Sequence, residues 1–304
     1  MKKIYLTFDI EPLVNKKSFN PTVYNSILAG GVFIAKELEK RNLKGTFYIS
    51  LSRKTSALDQ QIFEDGLDIL LRTLTQFDNI LVQPHLHAYG LPMSFSTEND
   101  LFGEYSLDQQ IEMLDWARRK LENYGYKVES FRPGTYSRNM QYYEALKSSG
   151  YIYSSLLNTD DNSINIDCIN KTIKETVPEM INEIIEFPVT SVKLKSIKGK
   201  VETINLSPDF LTMESMDGYF QKLNYININF HSFSVFTNKF LRENHKNVWL
   251  HNFKYFFWNK PMHTFLRIQK IEAIEHDTVL KKEFLKWIDY IQSQNYNTYF
   301  IGEQ

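Results

Sequence analysis

The sequence predicts an α/β fold in which about seven parallel strands form a barrel. Short runs rich in β-branched and aromatic residues alternate with amphipathic stretches, which is the pattern of strands joined by crossover helices. Several runs end directly in ionisable side chains, as strands do at the active-site end of a barrel. We therefore expect residues 1–304 to form a single domain, with insertions near residues 158–183 and 239–263.

Eight runs have the strand pattern, and apolar residues at helical spacing lie between them. The expected strands are Lys3–Phe8, Gly45–Ile49, Ile80–His87, Val128–Arg132, Tyr151–Ser155, Glu186–Val192, Tyr225–His231 and Thr298–Ile301. The clearest helical spacing is that of Leu107, Ile111, Leu114 and Leu121, and later that of Leu280, Phe284, Ile288 and Ile291. The polar segment 158–183 and the aromatic-rich segment 239–263 interrupt the alternation, so we interpret both as insertions.

Composition and charge exclude several classes of protein. Hydrophobic residues make up 42% of the chain, which is too many for a disordered protein. Lys and Arg number 35 against 36 Asp and Glu, so no broad cationic surface is available for nucleic acid. A single cysteine, Cys168, excludes an internal disulfide and a thiolate zinc site. Without an export signal or an apolar run of transmembrane length, the expected location is cytoplasmic.

Ionisable side chains stand at the ends of four predicted strands. The first strand ends in Asp9 and Glu11, and the third ends in His85 and His87. Alternate residues of a strand share a face, so each pair can point into one site. Two histidines with one or two carboxylates form a ligand set suited to a divalent metal.

The fourth predicted strand ends in Arg132, and a later one ends in His231. Any one such residue is more often a hydrogen-bonding group on a loop, and Arg132 could simply pair with a surface acid. However, α/β barrels place their active sites at the carboxyl ends of the strands. Because four strands deliver ionisable groups to that end, a shared site is the better interpretation.

Taken in order, these segments resemble the motifs of the polysaccharide deacetylases with a NodB-like domain, also called carbohydrate esterase family 4. The resemblance covers nearly the whole chain and implies a distorted (β/α) barrel that removes acetyl groups from N-acetylated sugars. The matching segments are Thr7-Phe8-Asp9-x-Glu11, Lys44-Gly45-Thr46-Phe47-Tyr48, His85-x-His87, Phe131-Arg132-Pro133-Gly134, Tyr151-x-Tyr153-Ser154-Ser155 and Phe230-His231-Ser232-Phe233.

The chain departs from the family pattern at three places. Ile10 stands where many members have a second Asp, the two histidines are closer together than usual, and Ser154 replaces a frequent Asp. Ile10 has no donor atom and alternates away from the face of Asp9. The resemblance and this alternation together imply that Glu11, His85 and His87 hold the divalent metal, with zinc the expected ion.

The resemblance also implies a role for each remaining strand-end residue in amide hydrolysis. Asp9 is the expected base for the attacking water, Arg132 orients Asp9 and keeps it ionised, and His231 is the expected acid for the departing amine. The predicted substrate is an acetylated glycan or sugar precursor. Its expected contacts are Pro133, Gly134, Tyr136, Trp249 and Trp258. Two alternatives remain open: a metal-independent amide hydrolase on the same fold, and a catalytically inactive barrel that binds glycan.

Overall fold

A computed structural model of the chain describes residues 2–12, 24–53, 59–96, 99–156, 177–195, 201–209, 211–236 and 277–303. Within these ranges the predicted fold class is confirmed, because a mostly parallel sheet curls on itself and packs against helices. The strands are β1 (Lys3–Ile10), β2 (Gly45–Ser50), β3 (Ile80–Leu86), β4 (Ser130–Pro133), β5 (Tyr153–Ser154), β6 (Glu179–Ile181), β7 (Ile184–Glu186), β8 (Ser191–Lys195), β9 (Val201–Asn205), β10 (Tyr225–His231) and β11 (Thr298–Tyr299). The helices are α1 (Tyr24–Lys40), α2 (Gln60–Leu74), α3 (Leu107–Glu122), α4 (Tyr142–Ser148), α5 (Met213–Lys222) and α6 (Val279–Ser293).

The order along the sheet is β10, β1, β2, β3, β4, β5, β7 and β6, with β11 also paired with β1. These strands pair in parallel except for β6, which runs antiparallel to β7. Because parallel strands share one direction, their carboxyl ends lie at one rim of the curl. The two helices with the clearest periodicity in the sequence are present as α3 and α6.

Residues 187–190 close the curl between its two ends. The amide of Val189 donates to the carbonyl of Leu156, just beyond β5, at 2.7 Å. The amide of Thr190 donates to the carbonyl of Asn227 in β10, at 2.9 Å. A short irregular segment therefore completes the barrel, which accounts for its distorted shape.

The predicted strand Glu186–Val192 is wrong in its bounds. The continuous strand β7 ends at Glu186, and the next strand begins at Ser191, in a separate antiparallel hairpin of β8 and β9. Between them lies Pro188, which has no N–H to donate to a regular ladder. The run looked continuous in the sequence because residues 186–190, on both sides of Pro188, are buried.

The two faces of β1 show how the fold positions the site. Ile4, Leu6 and Phe8 belong to the main apolar core, in which the sheet packs against the helices. The alternate residues point into the barrel, where Tyr5 joins a separate cluster with Tyr48, Phe187, Tyr225 and Ile301. Beyond this mainly aromatic cluster, toward the carboxyl ends of the strands, the same inward face carries the polar residues of the rim.

Both proposed insertions fall mostly outside the described residues. This holds for all of 239–263 and for most of 158–183, whose last part contains β6. The single-domain organisation therefore stays a prediction. Among the described residues, no helix is both long enough and apolar enough to cross a membrane.

Candidate active site

The ends of four strands bring the six ionisable residues predicted from the sequence to one rim. Asp9 of β1 is the register partner of His231 of β10, and His85 of β3 is the partner of Arg132 of β4. The other two residues directly follow the last residue of β1 and of β3. The six residues form two groups, which we call the ligand triad (Glu11, His85 and His87) and the acid–base group (Asp9, Arg132 and His231).

The ligand triad is buried, and its three candidate donor atoms converge. Glu11 Oε2 lies 2.9 Å from His87 Nε2 and 3.4 Å from His85 Nε2. The two Nε2 atoms lie 3.2 Å apart. Strand alternation places the two histidines on one face, as their spacing in the sequence predicts.

The outer nitrogens of both imidazoles are engaged. His85 Nδ1 lies 3.0 Å from the carbonyl oxygen of Arg132, which can only accept a hydrogen bond. His87 Nδ1 lies 2.8 Å from a carboxylate oxygen of Asp100. Because Nδ1 donates in each contact, each imidazole in its neutral form carries its lone pair on Nε2. In that form three acceptor atoms face one another, an arrangement that a cation between them would stabilise.

The chemistry of the triad fits a divalent metal. A tetrahedral site with bonds of about 2.0–2.1 Å places neighbouring ligand atoms about 3.3–3.4 Å apart, close to the separations in the triad. Burial lowers the pKa of His85 and outweighs the opposing effect of Asp9 and Glu11. The neutral imidazole, which is the form that binds metal, is thereby favoured.

Asp9 is held at the rim as an ionised carboxylate. Its Oδ1 accepts from Arg132 Nη1 at 2.6 Å, and its Oδ2 accepts from Asn229 Nδ2 at 3.0 Å. Burial alone would raise the pKa of Asp9, but the charge of Arg132, with a contribution from His231, outweighs it and holds the pKa below its usual value. Asp9 is therefore available as a base over a wide pH range.

Arg132 is fixed from every side. Nη1 also donates to Asn229, Nη2 donates to the hydroxyls of Thr7 and Ser155, and Nε donates to the carbonyl of Ser155. The guanidinium carbon lies 4.1 Å from the ring centroid of Tyr48. Burial would lower the pKa of Arg132, but Asp9 raises it above its usual value. The side chain has no room to turn, so it sets the orientation of Asp9.

His231 forms a pair with Asp209 that the sequence analysis missed. His231 Nδ1 lies 2.7 Å from Asp209 Oδ2, which also accepts from the backbone amide of His231 at 3.1 Å. His231 Nε2 faces Asp9 Oδ2 at 3.8 Å. Burial would lower the pKa of His231, but Asp209 outweighs it and raises the pKa to about 9. With 26% of its side chain exposed, His231 is a protonated donor that a substrate can reach.

The turn after β4 supports the triad. A Cβ atom on Gly134 would lie 2.6 Å from His87 Nδ1, so only glycine leaves room for this ring. Thr135 and Tyr136 both have a φ of 54°, a costly left-handed backbone for residues with side chains. The hydroxyl of Tyr136 accepts from Asn229 Nδ2 at 2.6 Å, beside Asp9. Contact of Pro133, Gly134 and Tyr136 with substrate stays a prediction, and Trp249 and Trp258 lie outside the described residues.

Three residues of the site were not found from the sequence. Asp209 follows β9, a strand that the sequence analysis does not include, and Asp100 lies in a loop without periodicity. Asn229 lies two residues before His231 on the same strand, so alternation could have placed it on the inner face.

No protein-family model and no curated protein sequence matches the chain. Among solved structures, it is similar to a protein from Mycobacterium smegmatis that is described as a polysaccharide deacetylase. That match has 11% identity and a TM-score of 0.47, and it covers 99% of this chain and 94% of the other.

Two further solved structures are similar at 11% identity. A protein from Bordetella bronchiseptica, described as a polysaccharide deacetylase involved in O-antigen biosynthesis, has a TM-score of 0.45, with 93% of this chain and 90% of the other covered. The 4-alpha-glucanotransferase from Thermococcus litoralis has a TM-score of 0.48, and the match covers 99% of this chain but 38% of that protein. The case for a function therefore rests on the residues of the site.

Proposed function

We propose that the chain is a metal-dependent hydrolase that removes an acetyl group from an N-acetylated sugar of a glycan or glycan precursor. The observation that carries this proposal is the juxtaposition of the ligand triad with an ionised carboxylate and a protonated imidazole. Amide hydrolysis needs a strengthened water nucleophile, a stabilised oxyanion and a protonated leaving amine. The two groups of residues together meet these needs.

The ligand triad would hold the metal, through Glu11 Oε2 and the two Nε2 atoms. A bound divalent metal lowers the pKa of its water and polarises the acetyl carbonyl. Zinc suits a set of two imidazoles and one carboxylate. In this assignment Asp9 is not a ligand, because its two oxygens are committed to Arg132 and Asn229.

The acid–base group would move the protons. Asp9 takes a proton from the attacking water, and Arg132 keeps Asp9 ionised until that moment. Asp209 accepts a hydrogen bond from Nδ1 of His231 and so stabilises its protonated form. His231 then donates the proton on Nε2 to the departing nitrogen and becomes neutral. The amide C–N bond breaks, the water oxygen joins the acetyl carbon, and acetate and a free amine leave.

The substrate class rests on the resemblance of the sequence motifs to those of polysaccharide deacetylases. A cytoplasmic location would make a sugar linked to a nucleotide or lipid carrier the natural substrate. The test is acetate release from a panel of N-acetylhexosamines and their conjugates, measured on the full chain as purified without chelator. We expect release from at least one member of the panel, and none after chelation of the metal.

The alternatives predict different results in the same assay. A metal-independent amide hydrolase would release acetate at the same rate after chelation. An inactive glycan-binding barrel would bind a member of the panel without releasing acetate, and either result would overturn the proposal.

A further inference from the structure

The two histidines of the triad are oriented by different kinds of partner. A backbone carbonyl, which belongs to the sheet, accepts from His85 Nδ1. His87 Nδ1 instead faces a carboxylate, with Asp100 Oδ1 at 3.0 Å and Oδ2 at 2.8 Å. Only His87 therefore depends on a side chain from a distant loop for its orientation.

The loop that carries Asp100 is tied down on both sides of this residue. The side-chain oxygen of Asn99 accepts from the amide of Leu101 at 3.0 Å, and the backbone carbonyl of Asn99 accepts from the hydroxyl of Tyr105 at 3.0 Å. These bonds fix the backbone on either side of Asp100, and so they hold its carboxylate next to the imidazole of His87.

The same loop is fastened to the turn that follows β4. The amide of Gly103 donates to Ser137 Oγ at 3.0 Å, and Asn139 Nδ2 donates to the carbonyl of Gly103 at 2.9 Å. A Cβ atom on Gly103 would lie 2.6 Å from the backbone of Arg138, so the two segments are in close contact. That turn also contains Gly134, which packs against the ring of His87. The imidazole of His87 thus lies between two segments that are hydrogen-bonded to each other.

We propose that Asp100 is a positioning residue for the metal site. It holds the proton of His87 on Nδ1 and so keeps the lone pair of Nε2 directed at the point where the triad converges. A carboxylate partner also makes Nε2 of the imidazole a stronger electron-pair donor to a metal than a backbone carbonyl partner does. This inference rests on the metal site of the proposed function, but it concerns affinity for the metal and not the reaction.

The test measures zinc affinity of the full chain, stripped of metal, in competition with a chromophoric chelator. Asp100→Ala is expected to weaken zinc binding by about 10- to 100-fold, the usual effect of removing a carboxylate partner from a histidine ligand. Asp100→Asn should lose less affinity, because its amide oxygen can still accept from Nδ1. The side chain of Asp100 is 36% exposed, so neither change is expected to disturb folding.

The matched control is Asp217→Asn. Asp217 also accepts a hydrogen bond from a side chain, the hydroxyl of Tyr290 at 2.6 Å, but it lies on α5 away from the triad. The zinc affinity of the Asp217→Asn variant should equal that of the wild type. A second readout is the Nδ1 proton of His87 in protein labelled with ¹⁵N-histidine, which should be protected in the wild type and lost in Asp100→Ala.

Three outcomes separate the possibilities. Weaker zinc binding by Asp100→Ala, with partial recovery in Asp100→Asn, supports the inference. Wild-type affinity in Asp100→Ala, while Glu11→Ala loses zinc, overturns the role of Asp100 and leaves the metal site standing. Failure of the wild type itself to bind zinc overturns the metal site, and with it this inference.

Discussion

The two halves of the rim are built on opposite principles. In the acid–base group, opposite charges are already in contact: Arg132 with Asp9, and His231 with Asp209. In the ligand triad, three acceptor atoms approach one another to within 3.4 Å. The first half is electrostatically satisfied by the protein alone, whereas the second would be stabilised by a cation. Removing a residue should therefore affect the two halves differently.

Their supports differ as well. The acid–base group is held from inside the barrel by buried polar side chains, such as Thr7 and Ser155, that also join neighbouring strands. The triad is held at the rim, partly by loops. We therefore expect changes in the acid–base group to reduce both stability and activity, and changes in the triad to reduce metal binding with little loss of stability.

The largest expected effect is that of Asp9→Asn. Loss of the base should lower kcat for acetate release by about 10²- to 10⁴-fold, and excess zinc should not restore it. Glu11→Ala should also be inactive, but excess zinc should restore part of its activity. Asp289→Asn, a surface carboxylate on α6, is the matched control and should match the wild type. Near wild-type turnover by Asp9→Asn would show that Asp9 is not the base.

The next effect concerns stability. Arg132→Met should lower the free energy of unfolding by about 3–5 kcal/mol, because it leaves Asp9 buried without its charged partner. Arg72→Met removes an ion pair whose arginine is 71% exposed, and should lower the free energy of unfolding far less, because solvent screens the charges. Denaturant unfolding of both variants measures the difference. Equal losses would mean that the buried pair does not brace the acid–base half.

A third effect appears in the pH profile. His231 is protonated below its pKa of about 9, so kcat/KM should fall as the pH rises through that value. In Asp209→Asn the burial of His231 is no longer opposed by this carboxylate, and the alkaline limb should move down toward about 6.5. The measurement is kcat/KM against pH for both proteins. An unchanged limb would remove His231 from the role of acid.

The smallest effect tests how closely α1 packs against the site. A Cβ atom on Gly30 would lie 2.7 Å from the carbonyl oxygen of Ser232, whose hydroxyl accepts from the amide of Glu11. Gly30→Ala should destabilise the protein despite the higher helix propensity of alanine. A Cβ atom on Gly66, in α2, would have nothing within 4 Å, so Gly66→Ala should stabilise by about 0.5–1 kcal/mol. Thermal unfolding of the pair compares the two, and a stabilised Gly30→Ala would contradict the close packing.

The sequence could predict the residues that strand alternation places at the rim. Asp9 and Glu11, like His85 and His87, lie two residues apart on strands whose apolar pattern is strong. The resemblance in motifs then gave each residue an expected role. Those roles stay predictions until the variants above are measured.

The partners of these residues could not be predicted in the same way. Asp209 is 22 residues from His231 and Asp100 is 13 residues from His87, and both lie on loops with no periodicity. Such contacts are set by how loops pack over the rim. The prediction of a strand at Glu186–Val192 was wrong for a related reason, because burial made an irregular closing segment look like one continuous strand.

The central claim is that the triad holds a metal on which deacetylation depends. The most direct measurement is the rate of acetate release by the stripped wild-type protein as zinc is added in steps. We predict no release without zinc and a rise that levels off at one zinc ion per chain. Full release by the stripped protein, or a rate that does not respond to added metal, would contradict the claim.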